Sequence, residues 1–171
     1  MQVFFMKKIH LYLISGFIFT AVFGTLSHFF YGWSDGNPLI GLISPVNEST
    51  WEHMKLVFFP VLIWSFFITG SGSKLSPALR PALLLGGFIG TLMIPVLFYT
   101  YSGILVHNVT GIAIAISFVN AFLAFFCAWR LQNSRIIYQK RTVIYILTVL
   151  FLVLFILFTF LPPDIGLFAE P

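Results

Sequence analysis

Charge is what this chain has least of. Asp, Glu, Lys and Arg make up 8% of its 171 residues, against about a quarter in a soluble domain. That shortage excludes an ordinary aqueous globule, because 22 Phe set in long uncharged runs cannot all be hidden in one water-facing core. The solvent for most of the chain is therefore lipid. Cysteine is nearly missing as well. Cys127 stands alone inside an apolar run, which excludes an internal disulfide and any cysteine-based metal site, and it reads as a small buried hydrophobe. Strand alternation is absent from the apolar runs, and at membrane depth each must satisfy its own backbone, so they read as helices. Neither His-Glu-x-x-His nor His-x-x-x-His occurs, so no recognised metal motif is present. The net charge of +4 would suggest nucleic acid if position were ignored. Placed along the chain, the basic residues fall in short loops between apolar runs, where they set orientation and meet anionic headgroups. Membrane lipid is the expected partner, and nucleic acid is not.

Five stretches reach the roughly 20 residues needed to cross a bilayer. They run from Ile9 to about Trp33, Leu56 to about Ser73, Pro81 to Val106, Asn108 to Trp129 and Thr142 to about Pro163. The run after Lys7 and Lys8 is too long for a signal-peptide core and no Ala-x-Ala site follows, so it is expected to stay as a first span. With the N-terminus in the cytoplasm, the inner segments hold Lys7, Lys8, Lys74, Arg80, Arg130, Arg135, Lys140 and Arg141, eight of the nine Lys and Arg. The outer segments hold all five acids, Asp35, Glu48, Glu52, Asp164 and Glu170, with Lys55 the one basic residue among them. The basic asymmetry sets the orientation. The expectation is an all-α, integral five-helix membrane bundle forming one membrane domain over residues 1–171. Its N-terminus is cytoplasmic, its C-terminus extracytoplasmic, and it resides in the cytoplasmic membrane.

The connections differ in content. The outer one, residues 34–55, is the longest, and Ser34-Asp-Gly-Asn-Pro38 is a dense turn signal. An apolar piece, Leu39 to Ile43, follows and is expected to dip into the interface. Ser44-Pro45 fits a helix start, and Ser49-x-x-Glu52 a second capping box. The segment around Gly70–Ser73 and the stretch Gln132 to Gln139 read as plain polar connections. Pro60 and Pro95 predict kinks. Gly86-x-x-x-Gly90 predicts a close helix approach, either within the bundle or to a homo- or hetero-oligomeric partner. The fifth span, with few polar residues, is expected to be the most lipid-facing.

Polar groups at membrane depth are costly and tend to be paired or functional. His10 belongs with the inner lysines as an interfacial side chain. His28, His53 and His107 all fall at or near the outer surface, a grouping independent of the Lys and Arg count that set the topology. Together with neighbouring carboxylates they are candidates to ligate a divalent metal or move protons. If helix runs through the central segment, Glu48, Glu52 and Lys55 share one stripe with Trp51 beside it, and Ser49 and His53 form a neighbouring one. Three readings of this segment stand side by side. Glu48 and Glu52 are a carboxylate pair facing a cleft. Ser49 and His53 are nucleophile and base. Or Lys55 neutralises the glutamates, Trp51 anchors at the headgroups, and the helix is simply interfacial. Asn120, in mid-span, is expected to bond to another helix. Tyr99, Thr100 and Tyr101 belong either to the aromatic belt or to the same cleft. Asn47 and Asn108 each open a glycosylation sequon, which matters only in a eukaryotic secretory membrane.

Ser27-His-Phe-Phe-Tyr-x-Trp33, Ser44-Pro-Val-Asn-Glu-Ser-Thr-Trp-Glu-His-Met-Lys55, Tyr99-Thr-Tyr-Ser-Gly103 and Pro162-Pro163 with Leu167-Phe168 resemble the motifs of a family of small multi-pass bacterial membrane proteins of unknown function. The likeness covers most of the chain, and the Ser44–Lys55 stretch is its most specific part. The resemblance implies a bacterial cytoplasmic membrane and assigns no catalytic residue. Three functional expectations follow from the residues themselves. The first is an outward-facing polar site of His28, Asn47, Glu48, Glu52, His53 and His107 that binds or acts on a lipid or envelope-derived ligand, with His28, His53 and His107 as metal-ligand candidates. The second is a small-solute transporter, or its membrane-embedded capture subunit, hinged at Pro60 and Pro95. The third is an accessory protein that packs against partner helices through Gly86 and Gly90.

Overall fold

A computed structural model describes the backbone of residues 2–68, 76–105 and 110–170, and the side chains of 7–68, 76–104 and 115–170. His107, the sequon at Asn108, and the expected end of the second span near Ser73 lie outside the described residues. Among the described residues every regular element is helical. They are α1 (Gln2–Trp33), α2 (Pro38–Gly41), α3 (Thr50–Phe66), α4 (Leu79–Leu105), α5 (Thr110–Leu131), α6 (Arg135–Gln139) and α7 (Arg141–Phe160). Three helical stretches are long and apolar enough to cross a membrane: Lys7–Trp33, Leu79–Ile104 and Arg141–Phe160. Ala115–Leu131 is a shorter apolar helix. α3, with 17 residues, is about 26 Å long, close to the roughly 30 Å of a hydrocarbon core.

Local chemistry sets the ends of these helices. α1 stops at Trp33, and the chain turns through Asp35 and Gly36 at φ 53° and 74°, a left-handed conformation that glycine adopts freely and aspartate tolerates. Asn37 caps α2, accepting from the Leu39 amide at 2.9 Å, with Pro38 at the first helical position. α3 begins at Thr50 rather than at Ser44. Ser49 has extended backbone and its hydroxyl accepts from Glu52 N at 3.4 Å, so the second capping signal is the one the chain uses. The Ser44 hydroxyl instead donates to the Ser27 carbonyl and accepts from the Tyr31 amide. Those bonds tie the connection to α1 and leave Ser44 outside any helix. The stretch expected to be a plain polar connection after α5 contains the short helix α6, capped by Ser134.

α1 packs on α3 and α5, α4 packs on the same two, and α7 lies outside along α4. The antiparallel order is visible in single contacts. Tyr12 donates to the Trp64 carbonyl at 2.6 Å near one end of α1, while His28 meets His53 near the other. Arg80, in the first turn of α4, donates to the carbonyls of Ser65 and Ile68 at 3.1 and 2.6 Å. The guanidinium thus binds the carbonyl end of α3, where the helix dipole favours a cation. An aromatic core fills the middle: Phe155 stands 4.8 Å from Trp51, 5.0 Å from Phe58 and 5.8 Å from Phe59, ring centre to ring centre. Each such pair contributes about 0.5–1.5 kcal/mol beyond its burial. Trp51 is therefore a core residue, not an anchor at the headgroups.

Gly86 and Gly90 permit the tightest helix approach. A Cβ on Gly86 would collide with the Ala124 carbonyl, and one on Gly90 would lie 2.5 Å from the Asn120 carbonyl. The surface expected to receive a partner chain is occupied by this chain's own α5. α7 is exposed over most of its length, as a lipid-facing helix would be, with Ile144, Thr148 and Phe155 buried.

Candidate functional site

The contacts above sort the described helix ends into two groups. His10, Trp64, Arg80 and Trp129 lie at one end of the bundle. His28, Glu48, His53, Lys55, Tyr99 and Thr159 lie at the other, where the chain after α7 also folds back.

At that second end three candidate residues come together. His28 comes from the last turns of α1, His53 from the first turn of α3, and Glu48 from the connection between them. His28 Nε2 is 3.8 Å from Glu48 Oε1, and His53 Nε2 is 3.5 Å from Glu48 Oε2. One potential ligand atom from each of the three lies within 4.8 Å of the others. The two imidazole rings are 5.3 Å apart and tilted. These separations exceed those of N–H···O hydrogen bonds. They are near the edge of about 3.4 Å expected between two donors that share a tetrahedral ion at about 2.1 Å from each.

The surroundings hold the three in place. His53 Nδ1 donates to the Ser49 carbonyl at 2.9 Å, which fixes the ring with Nε2 toward Glu48. His28 Nδ1 is buried and has no partner among the described residues; its Nε2 faces Glu48. Asn47 Oδ1 accepts from the Ser49 amide at 3.0 Å, a side-chain turn that fixes the backbone on both sides of Glu48. Asn47 thus acts through Glu48's position. Glu48 itself is 63% exposed at this end of the bundle.

Glu52 does not join this group. Its carboxylate accepts from Lys55 Nζ at 2.6 Å, from the Val46 amide at 3.0 Å and from the Thr159 hydroxyl at 3.3 Å. Lys55 also donates to the Gly41 carbonyl at 2.8 Å and the Thr159 hydroxyl at 2.7 Å. Glu52 and Lys55 are buried and bind the connection between α1 and α3, α3 itself and α7 to one another. The expected stripe of Glu48, Glu52 and Lys55 therefore does not form: α3 starts after Glu48, and the two glutamates point into different environments. Ser49, whose hydroxyl caps α3 and whose carbonyl meets His53 Nδ1, is engaged on both sides and is not poised as a nucleophile. Tyr99 donates to the Gly166 carbonyl at 3.0 Å, holding the C-terminal segment rather than lining a cleft. Asn120 is fully buried, yet neither amide atom has a hydrogen-bond partner among the described residues, so the expected interhelical bond is not made there. The sequence carried no signal for Gly41, Ser44 and Thr159 as anchors of the site's frame; their contacts span 11 to 104 residues of chain.

Fold and site define a class: an all-helical protein with membrane-type apolar helices and a His–Glu–His group at one end of the bundle. The family model for DUF6512, a family of unknown function, matches residues 1–171, and the chain belongs to that family. No curated protein and no solved structure matches it.

Proposed function

We propose that the chain is a five-span protein of the cytoplasmic membrane, N-terminus inside and C-terminus outside. Its His28, Glu48 and His53 bind one divalent metal at the outer surface and act there on a lipid or envelope-derived ligand. The orientation is supported by the concentration of Lys and Arg, Lys55 excepted, in the segments that border the His10 end of the bundle. The observation that carries the site is the convergence of two imidazole Nε2 atoms, from two different helices, on the two oxygens of one exposed carboxylate. The bond from His53 Nδ1 to the Ser49 carbonyl adds to it, because such outer contacts orient metal-binding imidazoles.

Two histidines and one glutamate leave open positions on the ion, as catalytic zinc sites do. A metal held by His28, Glu48 and His53 would supply Lewis acidity, activating water near neutral pH and polarising a carbonyl or phosphoryl oxygen. The reaction class that follows is hydrolysis of an ester, amide or phosphoester at the membrane surface. Phe29 and Trp33, stacked and exposed on α1 beside His28, offer an apolar approach for a ligand carrying hydrocarbon. Asn47 keeps Glu48 in place.

Metal analysis of protein purified without chelator tests the reading. The expected result is about one zinc or similar ion per chain, reduced 10- to 100-fold or more in affinity by His28→Ala, Glu48→Ala or His53→Ala. Because imidazole must be neutral to ligate, the ion is retained at pH 8 and released as pH falls toward 5. Metal-free protein whose three variants behave as wild type would refute the site.

A second reading, passage of a small solute, draws on Thr20, Thr91 and Asn120. All three are buried, each lies near the middle of its helix, and none of their side-chain oxygens has a partner among the described residues. Broken or kinked helices with such groups at mid-depth are a mark of transporters, and Pro60 and Pro95 lie inside α3 and α4, where a proline favours a kink. Flux of candidate solutes into liposomes decides it; no flux in the wild type removes this reading.

A further inference from the structure

At the basic end of the bundle, far from the His–Glu–His group, α1 and α5 leave a groove open to the lipid side. It encloses about 380 Å³ and is lined by His10, Ile14 and Phe17 on α1 and by Phe122, Phe126 and Trp129 on α5, among others. On both helices the spacing is i, i+4, i+7, so each wall is one continuous stripe. Apart from His10 the lining is apolar. The polar end of the groove is built. Trp129 Nε1 donates to His10 Nε2 at 3.0 Å, which puts the imidazole proton of a neutral His10 on Nδ1 and leaves that N–H to donate elsewhere. The Arg130 guanidinium lies 5.8 Å from the Trp129 ring centre. Lys7 stands three residues before His10, on the same side of α1.

We propose that this groove binds one anionic phospholipid of the leaflet at the basic end. An acyl chain lies along the open face of the groove against Ile14 and Phe126, over the edge-to-face contact of Phe17 with Phe122, whose ring centres are 6.3 Å apart, and the headgroup phosphate meets Lys7, Arg130 and the His10 Nδ1–H. Complementarity of slot and ligand supports the assignment. A slot that is aromatic along its length and cationic only at its mouth matches a molecule that is hydrocarbon along its length and anionic only at its head. Basic pockets between membrane helices on the cytoplasmic side select such headgroups. The groove shares no residue with the His28–Glu48–His53 group, so it stands or falls independently of the metal.

Native mass spectrometry of the full chain, released from mild detergent after equilibration with equal phosphatidylglycerol and phosphatidylcholine, tests this. Wild type retains a single phosphatidylglycerol in preference to phosphatidylcholine. Lys7→Gln and Arg130→Gln each reduce that preference about fivefold while retaining some lipid. Ile14→Trp, which fills the slot, removes the adduct. Ile146→Trp, on the exposed face of α7, leaves it unchanged. Equal retention of the two lipids by wild type overturns the proposal, as does an unaltered preference in the two charge variants. If Ile14→Trp fails to fold, the charge variants decide alone. Loss of the adduct in Ile146→Trp to the same degree as in Ile14→Trp identifies non-selective lipid around the whole bundle and likewise overturns it.

Discussion

A lysine with no exposed side-chain surface, as Lys55 is, must place all three ammonium protons on protein acceptors. Gly41 O, Glu52 Oε2 and Thr159 Oγ1, all within 2.8 Å, take them. Removing one charge of such a pair leaves the other buried and uncompensated, which costs about 3–5 kcal/mol, whereas replacing both with apolar groups of similar volume is often neutral. Lys55→Met is therefore expected to lower the thermal stability of the detergent-solubilised protein sharply, and Glu52→Leu combined with Lys55→Met to recover most of the loss. A single variant as stable as wild type, or a double variant that loses the sum of both, would show that the pair is not the closed unit described. The same contrast separates the two glutamates. Glu48→Ala removes an exposed carboxylate and is expected to weaken the proposed metal binding 10- to 100-fold or more with little loss of stability.

At the scale of elements, the bundle depends on how closely α4 can approach α5. The Ala124 carbonyl lies where a Gly86 Cβ would be, and helix backbones cannot shift locally without moving the Phe88 and Phe125 packing beside them. Gly86→Ala is expected to destabilise by about 1–3 kcal/mol through overpacking. Gly103→Ala, also on α4 but with nothing within 4 Å of the added Cβ, gains helix propensity and is expected to be neutral or slightly stabilising. Thermal unfolding of the two variants side by side distinguishes close packing from a general intolerance of α4 to change. Gly86-x-x-x-Gly90 was legible in the sequence as a point of close approach. Which helix approaches was not, because four apolar helices offer similar surfaces and only their three-dimensional order assigns the partner. The helix start at Ser49 shows the same limit in smaller form. Ser44-Pro45 and Ser49-x-x-Glu52 are both sound local start signals. What decides between them is the bond from Ser44 to the Ser27 carbonyl, 17 residues back along the chain, and no local pattern contains it.

For the whole molecule, the helical class and the apolar runs were readable because lipid allows few backbone solutions and so leaves a strong pattern. The meeting of His28 with His53 was readable only as a shared membrane level; their approach to 5.3 Å depends on α1 and α3 packing antiparallel. Glu48 could not be told from Glu52 by type or spacing, since its partners lie on two different helices, His28 on α1 and His53 on α3. Orientation remains the property on which the site's meaning rests: an ion held by residues facing outward meets lipid headgroups and envelope material, whereas the same residues facing inward meet cytosol. A single-cysteine protein, Glu48→Cys in a Cys127→Ser background, tests this in intact cells. Position 48 is exposed at the His53 end, so a membrane-impermeant maleimide added outside is expected to label it without lysis. A second protein, with Arg135→Cys in the same background, places its thiol at the basic end and is expected to react only after the membrane is opened. Labelling with the opposite pattern would reverse the topology and assign the His–Glu–His group to the cytoplasm. It would also assign the α1–α5 groove, with Lys7 and Arg130 at its mouth, to the outer leaflet, where the positive-inside rule gives no reason for them to stand.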